Sequence, residues 1–160
     1  MDSLVSGEEF PVQNSYTYWI SRLSNLMQER FNHMLKDQGI SWPQWMVLNV
    51  MNQGIARTPA AIADHLGTDR SAVTRLLDRL EDKGVILREH DKLDRRSVTV
   101  HITDQGRAMM SKLNESARQH QRQFLSGLHS TEFRALKANI QKMLKAGGVD
   151  STQQWRQQQF

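Results

Sequence analysis

The feature that most constrains the fold is a change in hydrophobic spacing at Gly84. Before this glycine, apolar residues recur at three- and four-residue steps, the spacing of helices that bury one face. After it, Val98, Val100 and Ile102 alternate with polar residues, the period of a half-buried β-strand. Residues 85–88 form the expected antiparallel partner of that strand. The order predicts a mainly α fold that contains one small β-hairpin.

Helices are expected on both sides of the hairpin. The first runs from about residue 15 to 38. Ser41 and Gln44 have the spacing of a capping box, so a second helix begins there. Thr58 and Pro59 begin a third, because proline is tolerated in the first turn of a helix.

The chain after the hairpin is also expected to be helical. Thr103 caps a long helix whose apolar stripe continues from Gly106 at heptad-like steps. His120 lies on this stripe, and we predict that it is a hydrogen-bonded core residue. A last helix covers about residues 130–145.

Three small or apolar residues before Gly84 have the spacing of a helix-turn-helix. Ala63 allows two helices to approach closely, Gly67 supplies a positive φ in the turn, and Val73 closes the core between the helices. Asp69 is placed to cap the second helix. We therefore predict a helix-turn-helix directly before the hairpin.

The second helix of this pair leaves a row of polar side chains facing outward. Such side chains hydrogen-bond base edges and phosphates when a helix enters the major groove of DNA. The alternative is the solvated face of an ordinary amphipathic helix pair. A hairpin with a basic tip follows directly, and this combination favours duplex DNA as the partner. The expected contacts from this helix are Arg70, Ser71, Thr74, Arg75 and Arg79.

Several stretches of the sequence resemble the MarR/SlyA family of bacterial regulators. They are Ala63–Gly67, Ser71–Gly84, Asp94–Arg96 and Ile102–Gly106. The last two fit the family's wing signature, Asp-x-Arg followed six residues later by an apolar residue and threonine. The resemblance covers about residues 10–146.

This resemblance implies a winged helix-turn-helix whose flanking helices form an interlocked homodimer. Residues 10–40 and 104–146 are then the dimerisation helices, and residues 41–103 form the DNA-binding lobe. Within the lobe, residues 59–83 are the helix-turn-helix and residues 85–103 the wing. Residues 147–160 remain a tail, with the composition of a flexible segment.

The resemblance also implies that a wing arginine enters the minor groove of a pseudo-palindromic site. That arginine corresponds to Arg96, with Asp94 as the salt-bridge partner that orients it. A narrow A·T-rich minor groove has a strengthened negative potential, which favours an inserted guanidinium. The alternative is an exposed ion pair worth at most about 1 kcal/mol. Lys92 and Arg95 of the same wing tip are further expected DNA contacts.

A small effector is a further expectation, since many relatives release DNA when an aromatic or phenolic compound binds near the dimer helices. Trp19, Arg22 and His33 share a flank of the first helix, and Trp45 lies on the second. An arginine pairs with a carboxylate, and a tryptophan stacks on a ring. The alternatives, Trp45 in the core and Arg22 in a salt bridge or in solvent, stay open.

Composition argues against several other classes of protein. The chain has no cysteine, so a disulfide scaffold and a thiol switch are impossible, and its six histidines are scattered, so no metal or cofactor is expected. No apolar run approaches the roughly 18–20 residues of a membrane span, and the acidic N-terminus lacks a signal-peptide pattern. A cytoplasmic protein is therefore expected. Phosphate-loop and nucleophile-elbow motifs are missing, so no enzyme is expected.

Net charge adds little to the case for DNA. The charge is +4, but residues 107–160 hold nine Lys or Arg against three Asp or Glu, outside the expected DNA-binding lobe. The helix-turn-helix and wing carry the expectation of a sequence-specific transcriptional regulator, a repressor released by a small effector. The alternatives are a winged helix used for protein contacts and a ligand-independent activator or architectural protein.

Overall fold

A computed structural model describes residues 10–90 and 97–149 of the chain. The described residues form a mainly helical fold with one two-stranded hairpin, as the sequence predicts. Its elements are α1 (Tyr16–Leu35), α2 (Trp42–Asn52), α3 (Pro59–Leu66), α4 (Arg70–Asp82), β1 (Ile86–His90), β2 (Val98–Ile102), α5 (Asp104–Leu125) and α6 (Ser130–Ala146), with short 3-10 turns at Val12–Asn14 and Lys36–Gln38. The chain divides into two compact units, one ending at His120 and the other beginning at Gln121.

Local capping explains where most helices begin. The capping box of Ser41 and Gln44 is present at α2, and the hydroxyl of Thr58 accepts a hydrogen bond from the Ala61 amide at the start of α3. Both predictions are confirmed. Asp69 occupies the N-cap position of α4, as predicted, but its side chain makes no capping hydrogen bond.

The hairpin pairs β1 with β2 in antiparallel register, from Ile86 opposite Ile102 to His90 opposite Val98. Val100 is buried, as the alternating pattern predicts. Its amide donates to the carbonyl oxygen of Arg57, 2.8 Å away. The segment before α3 therefore holds the outer edge of β2.

The core of the first unit gathers side chains from every helix from α1 to α5 and from the hairpin. Phe31 and Leu35, at the end of α1, are buried in the same cluster as Leu77 and Leu80 of α4 and Leu113 of α5. The helix-turn-helix therefore shares one hydrophobic core with the end of α1 and with α5.

Gly106 lies where α5 passes close to the base of the hairpin. A Cβ atom there would lie 2.2 Å from the carbonyl oxygen of Val85 and 2.7 Å from the Cγ2 atom of Ile102. Thr103 caps the helix as predicted: its hydroxyl accepts from the Gly106 amide and donates to the carbonyl oxygen of Gly84. The start of α5 is thereby fixed to the base of the hairpin.

The second unit consists of the end of α5 and α6. Glu132 accepts from the amide of His129 in a capping box that starts α6. Leu136, Ile140 and Met143 lie exposed on this helix. Among the described residues, no helix combines the length and apolarity that crossing a bilayer requires.

Candidate nucleic-acid interface

Helix α4 has one buried and one solvent-exposed side. Val73, Leu77 and Leu80 are fully buried. The polar side chains predicted to face outward are all exposed, namely Arg70, Ser71, Thr74, Arg75 and Arg79. These side chains are exposed because the apolar residues recur at helical spacing and so occupy only the opposite side of the helix.

The turn before α4 has the predicted geometry. Ala63 is buried where the helices approach, and Gly67 ends α3 with a φ of 62°. The amide of Thr68 donates to the carbonyl oxygen of Ala63. The left-handed conformation at Gly67 lets the chain reverse and start α4.

Three of the predicted contacts on α4 line depressions on two different flanks of the helix. Arg70 and Thr74 line a cleft of about 500 Å³ towards the hairpin, together with Thr58, Pro59, Ala60, Asp78, Arg88, His90, Ser97 and Val98. Arg79 instead lines a depression of about 400 Å³ beside the start of α2, with Ser41, Gln44, Asp82 and Lys83. The structure thus brings Arg70 and Thr74, but not Arg79, next to the wing.

Thr74 has part of its hydrogen-bonding capacity committed within the helix. Its hydroxyl donates to the carbonyl oxygen of Arg70, 2.9 Å away. With its proton used, the hydroxyl oxygen is left as an acceptor, suited to a base amino group.

The predicted contacts of the wing tip lie outside the described residues. They are Lys92, Asp94, Arg95 and Arg96. The described ends of the two strands, His90 and Ser97, both line the cleft beside α4. The two described ends that flank these residues therefore lie beside α4.

Arg88 of β1 is a residue that the sequence analysis missed. Its Nη1 atom lies 2.7 Å from Oδ1 of Asp78 and 2.9 Å from Oε2 of Glu81, and its Nη2 donates to the carbonyl oxygen of Thr74. Its amide also donates to Glu81. The available signal was Asp78 and Glu81 at i,i+3 spacing, followed by an arginine in the first strand.

The residues expected to bind an effector occupy different places. Trp19 contacts Tyr18 edge-on, and Nη1 of Arg22 donates to the Tyr18 hydroxyl at 3.1 Å, so these side chains share one exposed cluster. His33, exposed and eleven residues beyond Arg22 on the same helix, lies about 16 Å further along the axis. Trp45 packs edge-on against Phe31.

His120 is buried at the junction of α5 and α1, as predicted. Its Nε2 atom lies 2.9 Å from the carbonyl oxygen of Met27, and its ring stacks on Phe31 with centroids 4.9 Å apart. Burial lowers the pKa of His120, and the hydrogen bond to Met27 opposes part of that shift. In the described part of the chain, no group of three acidic or histidine side chains is placed to hold a metal.

Comparisons with known proteins agree with this geometry. Residues 40–98 match the model of the MarR family. A Staphylococcus aureus MepR–DNA complex shares 26% sequence identity, covers 86% of this chain and 99% of its own, and superposes with a TM-score of 0.77. A mutant of Escherichia coli MarR complexed with operator DNA shares 26% identity, with coverage of 80% and 92% and a TM-score of 0.74.

A third solved structure shares the fold at lower identity. This is Bordetella bronchiseptica BpsR, whose DNA binding is regulated by 6-hydroxynicotinic acid. It shares 22% sequence identity, covers 84% of this chain and 96% of its own, and superposes with a TM-score of 0.77. The match over residues 40–98 spans α2 to the start of β2, the part of the chain that builds the helix-turn-helix and the first strand. The chain therefore has a winged-helix fold, its residues 40–98 match the MarR family of transcription regulators, and its structure resembles solved regulators of that family.

Proposed function

We propose that this protein is a homodimeric transcription regulator that binds a pseudo-palindromic DNA duplex. In this proposal α4 enters the major groove, and the hairpin wing lies over the adjacent minor groove. The observation that carries it is the exposed polar side of α4, with Arg70 and Thr74 directly beside the hairpin.

The chemistry of α4 suits base recognition. An arginine donates two hydrogen bonds to the edge of guanine, and hydroxyl side chains bind bases or phosphates. Arg70, Ser71 and Thr74 lie in the first half of α4, the part of a recognition helix that contacts base edges. Arg79, on the other flank, is suited to a phosphate. The MepR and MarR structures, both solved with DNA, support the assignment.

Exposed apolar side chains support the homodimer. On α1, Tyr16, Trp19, Ile20 and Leu23 are each at least half exposed. Contiguous apolar surface of this kind marks protein interfaces. A twofold pair of chains covers such a surface with a copy of itself. Sedimentation at micromolar concentration tests this, and a monomer there would contradict it.

We assign the effector to the class of small aromatic carboxylates or phenols, and the protein to the repressors. Arg22 beside Tyr18 and Trp19 offers a cation and two rings on one surface. BpsR, with the same fold, is described with regulation by 6-hydroxynicotinic acid. A thermal-shift screen of benzoates and hydroxycinnamates tests the assignment. Equal shifts in wild type and Arg22→Ala would contradict the role of Arg22.

DNA binding itself is tested by fluorescence anisotropy with a random duplex at several salt concentrations. The expected result is binding at low salt that weakens steeply as salt rises, because bound cationic side chains displace counterions. Arg118→Ala, an exposed arginine paired with Glu115 on α5, is the matched control for loss of one charge. No binding at low salt would instead favour a winged helix used for protein contacts.

A further inference from the structure

The guanidinium of Arg88 joins the hairpin to three positions of α4. It contacts the carboxylates of Asp78 and Glu81 and the carbonyl oxygen of Thr74. The side chain of Arg88 is 18% exposed, against 52% for Asp78 and 39% for Glu81. The cation therefore lies inside the seam between α4 and β1, with its carboxylate partners nearer to solvent.

These contacts fix a direction as well as a distance. Thr74 and Glu81 are seven residues apart, so the contacts extend over about 10 Å of the helix axis. A guanidinium holds its donors in one rigid plane, unlike the flexible ammonium of lysine. Apolar packing between Leu77, Leu80 and Ile86 is non-directional and tolerates small rotations. The arginine therefore sets the angle that apolar packing leaves free.

We propose that Arg88 is a positioning residue that locks the hairpin to α4, so that the major-groove and minor-groove contacts are made together. The inference rests on the proposed DNA-binding function. Without this clamp (Arg88 with Thr74, Asp78 and Glu81), α4 still enters the major groove, but the wing is no longer aimed at the flanking minor groove. The affected property is flank preference, since A·T-rich flanks are read through the narrow minor groove.

The test compares four proteins on a small set of duplexes. The proteins are wild type, Arg88→Met, Arg88→Lys and the control Arg118→Met, which removes one charge from an exposed ion pair on α5. The duplexes share one core site with A·T-rich or G·C-rich flanks, and a second set varies single core bases. Circular dichroism and thermal melting confirm that each variant is folded.

The expected result is a loss of flank preference alone. Wild type and Arg118→Met bind the A·T-flanked duplex more tightly, whereas the ratio of dissociation constants falls towards one in Arg88→Met. Preference among core bases stays within about twofold of wild type, because Arg88 contacts the backbone oxygen of Thr74 and not its hydroxyl. Arg88→Lys keeps the charge but not the rigid plane of donors, and it gives an intermediate ratio of dissociation constants. A merely structural ion pair would lower the melting temperature without moving the flank ratio.

Each other outcome overturns a specific claim. A folded Arg88→Met with the wild-type flank ratio overturns the clamp and leaves the proposed function standing. Wild-type protein that binds DNA without flank preference also overturns the clamp. Wild-type protein that binds none of the duplexes overturns the proposed function itself. If Arg88→Met does not fold, Asp78→Asn removes one half-exposed partner, and an unchanged flank ratio in that variant overturns the clamp.

Discussion

At the residue scale, Gly106 and His120 show how single residues determine the packing of α5 in the first unit. Gly106 lies against the carbonyl oxygen of Val85, where even a methyl group overlaps backbone atoms. His120 instead spans a gap, with a hydrogen bond to Met27 and a stacked contact to Phe31. One position requires the smallest residue, and the other a planar polar ring.

Replacing Gly106 with alanine should destabilise the fold by about 1–3 kcal/mol, because the obstructing atom belongs to backbone and must shift. Gly127→Ala is the matched control. A Cβ atom at Gly127 meets nothing within 4 Å, so its effect should stay within about 1 kcal/mol of zero. Urea unfolding measures both free energies, and equal values for the two variants would contradict the close approach.

His120 predicts a stability that falls at acidic pH. Burial lowers the pKa of His120 in the folded state below its ordinary value of 6.5. Below pH 6.5 the unfolded chain therefore binds a proton that the folded chain resists, and stability declines until the folded pKa is reached. Above pH 6.5 the contribution of His120 is constant. His120→Gln, whose amide still donates to Met27, should lose this part of the decline. If the unfolding free energies of wild type and His120→Gln change with pH in the same way between pH 5 and 8, this prediction is contradicted.

At the element scale, the helix ends and the hairpin were predictable because their signals are local. Ser41 with Gln44, Thr58 with Pro59 and the alternation from Val98 each lie within a few residues of the feature they specify. The predicted bounds of the first strand were less accurate. Residues 85–88 were expected, but β1 runs from Ile86 to His90, because pairing with β2 extends it.

Features that depend on the meeting of distant segments were not predictable in the same way. No local pattern shows that Arg88 faces Asp78 and Glu81, or that the end of α1 shares a core with α4. The outward side of α4 was predictable from its apolar spacing. Its division into a wing-facing flank with Arg70 and another with Arg79 requires the positions of neighbouring elements.

The two DNA-facing elements should differ in what they recognise. Arg75→Ala should relax the preference at one base pair of each half-site by about 1–3 kcal/mol, with Arg70 as the alternative residue that contacts this base pair.

Arg96→Ala should weaken binding to every operator variant, most for those with A·T-rich flanks. It should also lower the slope of log affinity against log salt concentration by about one per wing. Asp94→Ala should act like Arg96→Ala, but more weakly. Binding titrations over a panel of operator variants measure these effects. If Arg96→Ala binds every variant with the affinity of the wild type, the wing does not contact the minor groove.

At the scale of the whole molecule, a single chain leaves apolar helix surfaces exposed. On α1 these surfaces include Tyr16 and Leu23, and on α6 they include Ile140 and Met143. We expect a twofold dimer to cover these surfaces and to present two copies of α4 to one duplex. The symmetry of the protein should then appear in the DNA sequence that it selects.

The most direct test of this account is selection of binding sites from random duplexes, followed by hydroxyl-radical footprinting of the enriched sequence. The account predicts a pseudo-palindrome with two protected half-sites whose centres lie about 10 base pairs, one DNA turn, apart. Sedimentation of the complex should show two chains per duplex. Failure to enrich any sequence, or protection of a single asymmetric site by one chain, would contradict it.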